Sequence, residues 1–321
     1  MEQAVDSGAS VLSDALAGSF LIGALRVFWL LSTTLVVLGV LPFGFYQRFL
    51  RKSAGRGKLR VVEKVDPGAK KGPLARLWDV TVPQDYFSHF YLVGFMSTLG
   101  LIHHTFYPEN FRFWPSPSDT PQPKKPHPFA EGFEHAESIF LLALMLVHTA
   151  RRLCESTMLE KHAPGSRMHI ASYVYGLCYY VAAPLTLYVH RSKKVKTVWG
   201  LFSWHEVLGG LLFIFANIKQ HQLGQILAGL RHRSGPFDKI PVYRIPRGDW
   251  FEWVACPHYL AEILLYLGLV VVSEGKDLTI WLMFSWVVAN LTYAAQLARR
   301  WYVTKFEDYP KERKAIVPLL F

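Results

Sequence analysis

Between residues 231 and 262 the chain gathers groups suited to holding a phosphorylated ligand with a flat ring. Arg231, Arg244 and Arg247 present planar guanidinium forks that match phosphate oxygens. The block Tyr243-Arg244-Ile245-Pro246-Arg247-Gly248-Asp249-Trp250-Phe251-Glu252 contains Pro and Gly, which interrupt a helix, and its Trp250 and Phe251, with Trp253, can stack on a ring or settle at a membrane interface. His258, Tyr259, Glu262 and Tyr266 follow at helical spacing and would share one face. Two further polar sets stand beside apolar runs: His89 and Tyr91 within Tyr86-Phe87-Ser88-His89-Phe90-Tyr91, and His148 with Arg151 and Arg152. The tail repeats the basic and aromatic theme from Arg299-Arg300-Trp301-Tyr302 through Lys311-Glu312-Arg313-Lys314. Taken singly, each residue also fits a helix-end cap, an interfacial aromatic belt or a snorkelling arginine. Their convergence near one membrane face favours a shared polar pocket.

Other chemistries lack their signatures. No Gly-x-Gly-x-x-Gly follows a strand, Gly55-Arg56-Gly57-Lys58 lacks phosphate-loop spacing, and there is no Gly-x-Ser-x-Gly elbow. The 13 histidines do not form clustered repeats, and His103-His104 is the only adjacent pair, so no metal site is expected. Three cysteines, Cys154, Cys178 and Cys256, exclude a disulfide scaffold.

The elements that must position these groups are written in the apolar runs. Phe28–Phe45 is 18 residues without a charge, and Phe87–Phe106, Met168–Val189 and Leu278–Leu297 lack Asp, Glu, Lys and Arg over 20, 22 and 20 residues. About 20 apolar residues cross a bilayer core. Weaker runs at Ser138–Ala150, Thr197–Ile218 and Tyr259–Ser273 complete seven expected spans. The sequence therefore predicts an all-α integral membrane protein of about seven transmembrane helices in one bundle, with no Rossmann domain. Residues 1–19 form a short N-terminus, and 20–321 a single membrane domain. Buried ionisable groups such as Glu262 are costly in such a setting and mark function.

Of 321 residues, 51% are hydrophobic and 18% charged, and 35 Lys and Arg stand against 24 Asp and Glu, a net charge of +11. The segments 46–86, 151–169, 219–258 and 298–321 carry 26 of the basic residues, and the alternate ones carry 8. By the positive-inside rule the C-terminus is cytosolic and residues 1–19 are lumenal, although 190–204 is a local exception. The positive charge is thus topology and contact with anionic membrane lipid, and no nucleic acid is needed to explain it. No obligate protein partner is indicated. The proline-rich stretch 107–135 and the basic stretch 46–86 read as irregular connectors.

The block at 243–252, the Pro-x-Tyr-Leu-x-Glu block at 257–262 and the tail from Tyr302 to Phe321 resemble the steroid 5α-reductase family, most closely over residues 231–321. Tyr86–Tyr91, His148 with Arg151-Arg152-Leu153 and Glu155, and Gly-Asp-Trp-Phe-Glu are similar to its polyprenol-reducing, dolichol-forming branch. The resemblance implies a seven-helix enzyme of the endoplasmic reticulum membrane that uses NADPH to reduce the α-isoprene double bond of a long-chain polyprenoid, for dolichol phosphate synthesis and protein N-glycosylation. It implies cofactor contacts at Arg231, Tyr243, Arg244, Asp249, His258, Glu262 and Tyr302, with Arg152 in support. It places the group that polarises the substrate near the start of the second span, where His89 and Tyr91 are the catalytic candidates. There are departures. The family often has Asn at the place of His258 and His near Ala298 or Arg299. The steroid enzymes have Tyr at the place of Thr149. Gln220 and Gly224 replace an expected Asn and Asp.

Hydride adds readily to the β-carbon of an enal because the developing charge spreads onto oxygen, whereas an allylic alcohol has no such sink. Polyprenal is therefore the expected immediate substrate, with polyprenol its formal precursor. A steroid or acyl enone reductase of the same superfamily remains an alternative. An isoprenylcysteine-type methyltransferase and a non-catalytic scaffold are further ones, but the 243–252 block fits the former poorly and the latter leaves Glu262 unexplained.

Overall fold

A computed structural model describes residues 2–40, 80–107, 136–160, 165–190, 203–232 and 243–318. Seven α-helices dominate them: α1 (Glu2–Val40), α2 (Phe87–Phe106), α3 (Ala136–Met158), α4 (Ile170–Tyr188), α5 (Trp204–His232), α6 (Pro257–Val272) and α7 (Leu278–Lys305). Three are long and apolar enough to cross a membrane: α1 over Gly18–Gly39, α4, and α7. The described residues contain no Rossmann sheet. The helical reading missed one ribbon, β1 (Thr81–Pro83) paired antiparallel with β2 (Arg167–His169), Val82 opposite Met168. Met168 thus lies in a strand just before α4 rather than within an apolar span. The connector expected over 46–86 is described only from residue 80, where it holds β1 and a 3₁₀ turn, Gln84–Tyr86. Most of 107–135 and of 190–204 lies outside the described residues.

The helix ends follow local chemistry. Asp277 caps α7, accepting the amides of Thr279 at 2.7 Å and Ile280 at 3.4 Å. Pro257 opens α6, where a missing N–H costs nothing. The α5 helix begins later than the apolar run Thr197–Ile218 suggests and continues past it through Lys219, Gln220 and His221. Those polar residues are tolerated because Gln220 and His221 meet polar partners on α3 and α6 and Lys219 pairs with Asp249.

Helix α5 lies along α6, α2 packs on α3 and α4, and α1 on α7. The α5–α6 crossing is close because glycines meet. A Cβ on Gly209 would sit 2.6 Å from the Gly268 carbonyl oxygen, and one on Gly268 2.8 Å from that of Gly209. Small-residue contacts of this kind let helix backbones touch where dispersion drives association. The core between α1, α4 and α7 is aromatic. Fully buried Trp29 donates from its indole to Thr186 at 3.0 Å, and its ring meets Tyr179 and Trp286 at 5.8 Å each. Arg26, inside the first apolar run, donates to Thr279 Oγ1 at 3.2 Å. The outer faces are apolar: Leu30, Leu31 and Leu35 on α1 and Leu208, Leu211, Ile214 and Phe215 on α5 are exposed, as a helix in contact with lipid requires.

Near the start of α7, His190 joins three elements. Its Nδ1 lies 2.8 Å from Asp277 and its Nε2 3.1 Å from Glu137 of α3. Both partners only accept, so both ring nitrogens must carry hydrogens. Burial disfavours the imidazolium, but the hydrogen-bonded carboxylates outweigh it and hold its pKa up to about 9.

Candidate functional site

The C-terminal end of α3 carries two adjacent arginines that point their forks at different neighbours. Arg151 donates from Nη1 to Glu155 at 2.5 Å and hydrogen-bonds the side-chain oxygens of Asn217 and Gln220 on α5. Arg152 donates to the other Glu155 oxygen at 2.5 Å, to the Tyr91 hydroxyl of α2 at 2.7 Å and to Glu160 at 2.8 Å. Its guanidinium carbon also lies 4.8 Å from the Tyr91 ring centre. Glu155, one turn on from both, is the shared anion, and His221 adds a contact to it at 2.6 Å.

Glu262 closes a ring. One of its oxygens accepts the Gln220 amide nitrogen, and the other lies 3.4 Å from His148 Nε2. His148 Nδ1 faces Arg151 Nη2 at 3.4 Å, and Arg151 returns to Gln220. Because arginine is always a donor, His148 accepts at Nδ1 and donates from Nε2 to the carboxylate; it is a neutral imidazole of defined tautomer. Every atom of the Arg151–Gln220–Glu262–His148 ring thus has a fixed donor or acceptor sense, and Glu262 is held rigidly at the meeting point of α3, α5 and α6. Among the described residues, the buried Asn217 amide nitrogen beside this ring finds no acceptor, its oxygen being taken by Arg151. It is a donor suited to an amide or carbonyl oxygen of a ligand.

A second patch adjoins the N-terminal end of α6. The loop 243–256 is pinned by the tail. Ala255 and Cys256 donate to the carbonyls of Lys314 and Ala315 at 2.8 and 3.1 Å. Arg313, 3% exposed, donates to the Pro246 carbonyl at 2.8 Å and to Glu252 at 2.6 Å. The other Glu252 oxygen accepts the Gly248 amide at 2.5 Å, and this bond, with Arg313, holds the Glu252 carboxyl below its ordinary pKa. Gly248 has φ +87°, which explains a glycine at this turn. Asp249 pairs with Lys219 of α5 at 2.7 Å, whose ammonium sits 5.3 Å from the Trp250 ring. Arg244 and Arg247 are exposed, and Tyr243 is set edge-on to Trp301. Tyr302 is buried, stacked on Tyr309 at 5.4 Å. His258 lies against Tyr259 at 4.3 Å.

The structure brings Tyr91, Arg152 and Glu262 into one network, and Tyr243, Arg244, Asp249, His258 and Tyr302 around one loop and tail. Arg231 lies in the last turn of α5, its side chain outside the described part. His89 joins a different group: its Nδ1 is 3.0 Å from the Tyr173 hydroxyl, and its ring meets Tyr86 at 4.6 Å. Sequence reasoning left Asn217, Gln220 and His221 out of the site. Their spacing of three and four residues on α5, matching Arg151, Arg152 and Glu155 on α3, was the available signal. No group of three or more His, Cys, Asp or Glu suited to a metal ion occurs among the described residues.

The described residues thus combine seven helices, three of them able to cross a membrane, with a polar network where α3, α5 and α6 meet, and they contain no nucleotide-binding sheet. Residues 167–321 match the family model described as 3-oxo-5-alpha-steroid 4-dehydrogenase. The chain is 36% identical to polyprenal reductase 1 of Arabidopsis thaliana over 330 residues, covering 91% of this chain and 95% of the relative. It is 32% identical to the polyprenal reductase of Ailuropoda melanoleuca over 270 residues, 79% and 82% of the two chains. To that of Danio rerio it is 36% identical over 191 residues, 58% and 61%. The chain belongs to the steroid 5α-reductase family.

Proposed function

We propose that this protein is a polyprenal reductase of the endoplasmic reticulum membrane. It spans the bilayer seven times with its C-terminus cytosolic, and it uses NADPH to reduce the α-isoprene double bond of a long-chain polyprenal, feeding dolichol phosphate synthesis and N-glycosylation. The observation that carries this reading is the ring that fixes Glu262 beside Arg152 and Tyr91.

The residues fit a reduced nicotinamide dinucleotide. Arg231, Arg244 and Arg247 provide charge for phosphates, Tyr243, Tyr302 and His258 provide ring contacts, and the spare Asn217 donor and Glu262 suit a carboxamide. Asp249, paired with Lys219, supports the loop rather than meeting phosphate. Bound there, NADPH supplies the hydride that the enal accepts at its β-carbon. Tyr91 polarises the aldehyde. Its oxygen accepts from Arg152, so its own hydrogen is free to be donated to the aldehyde oxygen, and the nearby guanidinium stabilises charge developing there. One such donor contributes about 10²–10³-fold. His89, hydrogen-bonded to Tyr173, is the second candidate donor and stands in a separate aromatic group.

The family also holds enzymes of steroid ketones, and one residue separates the readings. Thr149, at the place of the steroid enzymes' tyrosine, spends its hydroxyl on the Met145 and Leu146 carbonyls at 2.9 and 3.1 Å, leaving no donor for a ketone.

The test is turnover of purified protein in detergent with NADPH and polyprenal, read by mass. A gain of two hydrogens at the α-isoprene unit with the aldehyde retained is expected. Reduction of polyprenol but not polyprenal would overturn the mechanism, and inertness towards both would overturn the substrate.

A further inference from the structure

Beside the Glu262 ring lies a pair of hydroxyls that the reaction described above leaves unused. Tyr266 stands on α6 one turn beyond Glu262, and Tyr179 comes from α4; their hydroxyls hydrogen-bond each other. Both are buried, at 1% and 8% exposure. Tyr91 of α2 is joined to this pair through a single ring. Tyr180 links them, its ring edge-on to Tyr91 at 5.3 Å and to Tyr179 at 5.0 Å. Trp286, 4.6 Å from the Tyr179 ring, closes the far side.

Two phenols carry two hydrogens, and the bond between them uses one. Whichever oxygen accepts keeps an O–H to give, and accepting makes it a stronger donor. One helical turn places Tyr266 about 6 Å along α6 from Glu262, on the same face. Conjugate reduction needs such a group. A hydride brings an electron pair to the β-carbon, the double-bond pair shifts towards the carbonyl, and an enolate forms. A proton must then reach the α-carbon as the carbonyl is restored. Tyr91, with a guanidinium on its oxygen, suits holding the enolate oxygen. Tyr266, whose charged neighbour is a carboxylate, suits a neutral acid that gives up its proton only to carbon.

We propose that Tyr266, hydrogen-bonded by Tyr179, delivers the proton to the α-carbon of the enal. The proton passes from the phenol oxygen to carbon, and water entering as product leaves restores the phenol. The assignment rests on the reductase reading of the preceding subsection, with reduced nicotinamide as the hydride source.

The experiment uses the full chain in detergent with NADPH and polyprenal in D₂O. Product aldehyde is trapped with borohydride as it forms, and the configuration of deuterium at the α-carbon is read by NMR. Wild type should deuterate one face. Tyr266→Phe should lower kcat by ~10²-fold, leave the NADPH KM in place and deuterate both faces, since water then supplies the proton. Tyr179→Phe, which keeps the donor, should be slower than wild type with one-face deuteration retained. One-face deuteration by Tyr266→Phe, at any rate, would overturn the proposal and leave that tyrosine a packing role. Should Tyr266→Phe fail to fold, a Tyr179→Phe variant with wild-type rate would overturn it equally. If the wild type itself adds no hydride at the β-carbon, the reductase reading fails instead, which is a separate outcome.

Discussion

Replacing Glu262 with glutamine tests the ring directly, because the change preserves shape and reverses one hydrogen-bonding sense. In the native site both carboxylate oxygens face donors, the Gln220 amide nitrogen and His148 Nε2. A glutamine must turn its own NH₂ towards one of them. Facing Gln220, it sets donor against donor unless Gln220 flips, and a flipped Gln220 then presents its NH₂ to Arg151. Facing His148, it requires the other tautomer, whose Nδ1 hydrogen meets Arg151 Nη2. The mismatch therefore moves around the ring and cannot leave it. One buried donor without an acceptor costs about 1–3 kcal/mol, which corresponds to a factor of about 5 to 150 in whatever equilibrium depends on the ring. Glu262→Gln should accordingly raise the NADPH KM at least about fivefold, and NADPH should protect the variant less in thermal melts. A second substitution sharpens the test. Gln220→Glu in the Glu262→Gln background exchanges the two groups and lets residue 220 accept from both Arg151 and residue 262, so part of the lost affinity should return. An unchanged NADPH KM in Glu262→Gln, or strict additivity of the two changes, would refute the argument.

Three other outcomes follow from the geometry. Tyr91→Phe removes the donor beside Arg152 and should lower kcat about 10²-fold with little change in NADPH KM, whereas His89→Ala, in the separate Tyr173 group, should lower kcat less than about tenfold; the reverse order would exchange their roles. Arg313→Gln should lose about 1–3 kcal/mol, chiefly because it strands the buried Pro246 carbonyl, while water can replace the partner of exposed Glu252, and a melting temperature within 1 °C or so of wild type would count against the clamp. His190 is raised from 6.5 to about 9, so its stabilisation is complete below pH 6.5 and is lost as pH rises through 9, a change of about 3 kcal/mol that melting curves between pH 6 and 10 should trace. The same curve for His190→Gln should be flatter; an identical slope would remove the imidazolium from the explanation.

How far the sequence carried these conclusions varied by element. Helix α2 spans the uncharged run Phe87–Phe106 as read, since charge and proline bound it on both sides. Helix α7 begins at Leu278 as read, behind its Asp277 cap, but continues to Lys305, because Arg299 and Arg300 can stay helical once past the apolar stretch. Helix α5 was misplaced for the converse reason. Apolarity alone marks its first half, and its polar second half is helical because partners on other helices satisfy it. The site divides similarly. Glu262 and Arg152 were conspicuous as charges near apolar runs. Asn217 lay unremarked in the expected span Thr197–Ile218 and Gln220 stood out only as a departure from the family, and contacts between distant segments give both their meaning. Arg313 sat in a basic run read with the ligand-facing arginines, yet it is among the most buried charges described and clamps the loop instead. Tyr266 was legible on the Glu262 face by its helical spacing, but its partner Tyr179, in the middle of an apolar run on another helix, was not.

The pairing of loop 243–256 with residues 311–316 sets an order on the protein's own manufacture. The loop is synthesised some sixty residues before the strap that gives Ala255 and Cys256 their carbonyl partners and Pro246 its guanidinium. Until that strap arrives, those two amides and the Pro246 carbonyl have only water to bond. A nascent chain therefore carries an unpinned loop through most of its insertion, and the loop takes its final hydrogen bonds only after the strap is made. On the proposed reading, protection by NADPH therefore requires residues 313–315 to be in place.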